Sequence, residues 1–123
     1  MLKLKTKWFH KWAKKQTVTD QLLLDTIENV PNQLGSTNLG SGLFKVRTPK
    51  KGKGKSGGFR TFLVYKESEI ALFVYGFAKN EKDNLDKNEL KYFKKLSKDL
   101  LAISNSEYRR LVSSDNFIEI EEN

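Results

Sequence analysis

The chain has 123 residues, a formal net charge of +8 and no cysteine. That length suits one domain around one core, and the lack of cysteine excludes disulfides, thiolate metal sites and a cysteine nucleophile. The longest mostly apolar stretch, Ile70–Ala78, is strand length rather than membrane length, and lysines from Lys3 onward leave no apolar signal-peptide core, so the sequence reads as a soluble, cytoplasmic protein.

Leu2 and Leu4 alternate with Lys3 and Lys5, which predicts a short half-buried strand. Trp8, Phe9 and Trp12 then take helical spacing, so residues 7–15 read as a basic amphipathic helix with both tryptophans packed inward. A second helix follows Thr19 as cap, with Leu23, Ile27, Val30 and Leu34 on one face and Pro31 disturbing its last turn. Residues 35–42, rich in Gly, Ser and Asn, read as a loop. Three strands follow, at 43–47, 59–66 and 70–78; the last two are apolar on both faces and therefore central. Glu67-Ser68-Glu69 joins them as an antiparallel hairpin.

The carboxy-terminal part is helical. Asp86 and Glu89 have capping-box spacing with Leu85 and Leu90 as staple, ahead of an apolar face of Leu90, Phe93, Leu96, Leu100 and Ile103. Ser104 and Glu107 repeat the box, and residues 117–121 close the chain as a strand. Glu119 and Glu121 against Lys3 and Lys5 suggest that the two terminal strands are neighbours. The expected architecture is α+β, an antiparallel sheet flanked by helices in a single domain, 1–123.

Charge is segregated along the chain. No acid occurs between Glu28 and Glu67, a window holding Lys45, Arg47, Lys50, Lys51, Lys53, Lys55, Arg60 and Lys66, and none occurs in residues 1–19. Such a field attracts polyanions. The segment from Pro49 to Ser56 ends like a phosphate-binding P-loop, yet Pro49 replaces its first glycine and a strand, not a helix, follows. Its alternating lysines and glycines instead suit a cationic flap along a sugar–phosphate backbone, with Lys50, Lys51, Lys53 and Lys55 as RNA-binding residues. In an antiparallel meander, Lys45, Arg47, Arg60 and Lys79 would meet at one sheet edge beside that flap. His10 is the only histidine, so a catalytic histidine pair and a multi-histidine metal site are both excluded; no cofactor or metal is expected.

The run from Gly42 to Arg47, the segment from Gly52 to Arg60, and Tyr75-Gly76-Phe77-Ala78-Lys79-Asn80-Glu81 resemble the RelE/HigB superfamily of bacterial toxins, its HigB-like branch above all. The resemblance implies an RNase-like sheet, cleavage of mRNA on the ribosome, and neutralisation by a cognate antitoxin, often a helix-turn-helix protein. By motif position Arg60 matches the family's catalytic arginine, and Lys45 and Arg47 match two basic positions on the preceding strand. Lys79-Asn80 stands where some relatives have lysine-arginine, and Asp86 where some have a functional tyrosine, so the acid–base roles stay open. A lysine crowded by other cations gives up its proton more readily and can act as a base; Lys45, Lys55 and Lys79 are the candidates. The competing readings are a non-catalytic RNA- or DNA-binding domain and a gyrase-inhibiting ParE-like toxin.

Overall fold

The computed structural model describes residues 1–32, 35–49 and 58–122. Leu34 and the flap lysines Lys50, Lys51, Lys53 and Lys55 lie outside the described residues.

The chain opens with β1 (Leu2–Thr6), which passes directly into α1 (Lys7–Gln16) because Thr6 serves as its cap, Oγ1 accepting the Phe9 N–H at 3.1 Å. Thr19 caps α2 (Asp20–Asn29) in the same way, and the helix stops two residues before Pro31. Residues 35–42, expected as a loop, contain instead an edge strand, β2 (Ser36–Gly40), paired antiparallel with β3 (Leu43–Thr48). Its short polar side chains carry no alternating pattern, and pairing with β3 makes it a strand, with Ser36 Oγ donating to the Val30 carbonyl and Leu39 packed on the core.

Antiparallel pairing continues through β4 (Phe59–Lys66) and β5 (Ile70–Ala78), both buried along nearly their whole length. Asp86 and Glu89 form the full capping box at the start of α3 (Lys87–Leu101). Ser104 caps α4 (Asn105–Ser113), but the carboxylate of Glu107 accepts from Arg110. β6 (Phe117–Glu119) then pairs antiparallel with β1, and Lys3 forms an ion pair with Glu122, so the two terminal strands are neighbours.

The sheet order is β2-β3-β4-β5-β1-β6. The sheet is antiparallel as expected except for one pair, β1 with β5, which is parallel and is joined by a long crossover through both helices and strands β2 to β4. Helices α1 and α2 cover one face, where Phe9, Leu23 and Ile27 pack on Val46, Leu63 and Phe73. Helices α3 and α4 cover part of the other, over Leu4, Leu43, Phe62, Val64 and Leu72. A hydroxyl chain, Thr26–Thr48–Thr61 with both links at 3.1 Å, pins α2 to the ends of β3 and β4.

The register between β4 and β5 shifts between Phe62 and Leu63, which face Tyr75 and Phe73 and leave Val74 as an extra residue. This bulge puts Val74 and Tyr75 on the same face, under α3. Just beyond it a Cβ on Gly76 would lie 2.7 Å from the Trp12 ring. Gly76→Ala should therefore cost about 1–3 kcal/mol through overpacking; an unchanged denaturation midpoint would show that the ring yields freely. Trp12 packs against the core, whereas Trp8, expected inside, is 48 % exposed.

Candidate RNA-cleavage site

The strand pattern decides which side chains meet. On β3, Phe44 and Val46 point toward α1 and α2 and Thr48 bonds Thr26, so Lys45 and Arg47 emerge on the opposite face. On β4, Phe59, Thr61 and Leu63 share the α2 side, so Arg60 and Phe62 take the same face as Lys45 and Arg47. Arg47 and Arg60 are register partners, Lys45 is paired with Phe62, and Phe77 is paired with Arg60 from the other side. Two guanidinium groups thus sit on one rung of the sheet. Lys79 follows the end of β5, its N–H donating to the Gly58 carbonyl at 3.2 Å, two residues before Arg60. Three of the four cations therefore share the sheet face, and Lys79 stands at its edge, exposed.

This end of the face is left open by α3, which runs from Tyr75, where Phe93 stacks at 4.9 Å, to the β2–β3 turn, where Ser97 Oγ donates to the Ser41 carbonyl at 2.8 Å. Arg47 is exposed and Arg60 half-buried. Among the described residues the ion pairs leave both arginines out, and Arg60 has an Nη1 that is buried without a hydrogen-bond acceptor. Burial first, and then the charge of Arg47, pushes the Arg60 guanidinium below its usual pKa, with Asp83 pulling weakly the other way. Like charges packed side by side at partial burial are costly in the empty site and suited to an anion.

The segment between β5 and α3 borders the site. Lys82 pairs with Glu89, and its Nζ lies 5.8 Å from the centre of the Phe77 ring. That hydrogen bond raises the Lys82 pKa and lowers that of Glu89. Asp83 was not marked by the sequence; its only signal was its place in a charged connection after a central strand. Asp86 is occupied as the cap of α3. His10 belongs to a separate place, where burial and then Lys5 and Lys14 lower its pKa against the pull of Asp20. No group of three or more His, Cys, Asp or Glu among the described residues is arranged to hold a metal ion, and no described helix is long and apolar enough to cross a membrane.

A mixed sheet flanked by helices thus carries, at one open end of a face, an arginine pair that stands outside the ion pairs of the described residues. Residues 1–120 match the model of the RelE toxin of the RelE / RelB toxin-antitoxin system, and the chain belongs to that family. No curated protein sequence matches it. The protein is thus the toxin half of a toxin–antitoxin pair.

Proposed function

We propose that this toxin is an endoribonuclease of the HigB-like kind that cleaves mRNA in the cytoplasm while the message is bound to the ribosome, and that a helix-turn-helix antitoxin restrains it. The observation that carries the proposal is the Arg47–Arg60 rung, with one buried Arg60 nitrogen lacking an acceptor among the described residues. In RNA the 2′-hydroxyl attacks the adjacent phosphorus and expels the 5′-oxygen, so the nucleophile is supplied by the substrate and no metal is required. Arg60 holds the scissile phosphate with its planar fork and faces the charge that develops on the phosphorane oxygens. Arg47 takes the neighbouring non-bridging oxygen or the next phosphate. Lys45, on the same face, and Lys79, at the end of β5, are the candidates for moving the two protons. The ribosome supplies orientation that a sparse acid–base set lacks.

Induced expression followed by mapping of mRNA 5′ ends tests the reading; growth arrest with intact messages would discard it in favour of gyrase inhibition or of binding without cleavage. A second result concerns the flap. Replacing Lys50, Lys51 and Lys53 together should weaken RNA binding alike for all sequences and flatten its salt dependence by roughly three phosphate contacts. Affinity that ignores salt, or survives the triple change, would remove the flap from the binding surface.

A further inference from the structure

Away from the arginine rung the surface carries an aromatic ridge. Trp8 and Tyr92, 48 % and 62 % exposed, are two of the three large hydrophobic side chains that the described residues expose. Trp8 lies parallel to Trp12 at 6.2 Å and against Tyr75 at 5.0 Å, and Tyr75 stacks in turn on Phe93 beside Tyr92. Hollows flank the Trp8 ring. One, of 620 Å³, lies among Trp8, Trp12, Lys11, Lys14 and Lys15; the other, of 360 Å³, is lined by Trp8, Tyr75, Tyr92, Phe93 and Leu96. The rim is wholly cationic on the α1 side, where Lys7, Lys11, Lys14 and Lys15 are exposed and outside the ion pairs of the described residues.

We propose that this ridge is the docking surface for the antitoxin, and that the segment seated there is acidic and amphipathic, with large apolar side chains entering the hollows on either side of Trp8. Charge complementarity calls for an acidic occupant, since residues 1–19 contain no acid and carboxylates of the partner meet Lys11, Lys14 and Lys15 without repulsion, and the apolar hollow beside Trp8 favours a protein segment. An apolar centre of Trp and Tyr inside a charged rim has the anatomy of a protein interface. Nucleobase stacking is the lesser fit, because Trp8 already has Trp12 stacked parallel to it and Tyr75 tilted against it, and the hollow beyond it is lined by Leu96 and Phe93 without a cation. The surface rests on membership of the toxin family and not on the cleavage reading.

Two variants test it, Trp8→Ala and the double change Lys11→Glu with Lys14→Glu, each expressed alone and with the antitoxin of its own operon. Both should still arrest growth, and both should escape neutralisation, with affinity for the purified antitoxin reduced on the order of tenfold or more. Both of the chain's two tryptophans stand in the patch, so antitoxin binding should shift the emission of the wild-type toxin, while a 2′-O-methyl RNA 12-mer should not. Neutralisation of both variants as efficiently as the wild type would overturn the proposal. So would folded variants that no longer arrest growth, or a tryptophan shift produced by the RNA, either of which would assign the ridge to nucleic acid. If Trp8→Ala fails to fold, the exposed lysine pair decides.

Discussion

Arg60→Ala should abolish growth arrest and lower mRNA cleavage by on the order of 10²–10³, the loss seen when one preorganised transition-state donor is removed. Arg60→Lys keeps a charge on the rung but loses the planar fork, so cleavage should fall substantially while RNA binding largely persists. The usual confounder, loss of activity through unfolding, has a distinctive signature here. The guanidinium has its pKa depressed by burial and by Arg47, which means that the fold disfavours the charged form. Its buried Nη1 finds no acceptor among the described residues. Removing it should leave the thermal midpoint unchanged or raise it, the pattern expected where stability has been yielded to function. An Arg60→Ala toxin that is folded, binds antitoxin and still cuts mRNA would move the chemistry elsewhere.

The largest stability effect is expected at the other end of the sheet. Lys5 has a side chain only 5 % exposed, and its Nζ donates to Asp20 Oδ1 at 2.7 Å. The second oxygen of Asp20 accepts the Glu121 N–H at 2.9 Å. One carboxylate thus joins β1, the first turn of α2 and the segment after β6. Asp20→Ala leaves a buried ammonium without a partner and should cost about 3–5 kcal/mol. Lys5→Met with Asp20→Ala should recover much of that loss, because the buried charge disappears with its counter-ion. Urea denaturation of the two single variants and the double variant measures the difference. If Asp20→Ala costs less than about 1 kcal/mol, or the double change is no milder, solvent reaches Lys5 and the pair is an ordinary surface one.

The same two regions show where the sequence could be read and where it could not. Strands β3 to β5 were legible because their side chains are apolar, aromatic or β-branched, and the caps Thr19, Asp86 and Ser104 because their side chains bond amides three residues on. With the strands and their hairpin order in hand, the meeting of Arg47 with Arg60 follows from pleat and pairing alone. What stayed hidden depends on tertiary partners. Ser36–Gly40 becomes a strand only because β3 offers it a free edge. Lys5 looked like a solvent-facing lysine until Asp20, fifteen residues away, came to meet it. Trp8 has the spacing of a core residue, yet β1 passes straight into α1, and the strand edge beyond Thr6 is covered by Trp12 against Gly76.

The arginine rung is set by a ladder of six consecutive pairs, from Leu43 opposite Val64 to Thr48 opposite Phe59. The number of residues joining the two strands does not enter into it. The connection after Thr48 can therefore be lengthened, shortened or recharged, and any contribution it makes to holding RNA retuned, without displacing the guanidinium pair. Inside the ladder there is no such freedom. Deleting one residue between Leu43 and Arg47 would turn Arg47 toward α2 and bring Val46 to the open face. On the proposed reading, substrate choice and cleavage chemistry would be heritable on separate terms, one through the length of a connection and the other through a strand register.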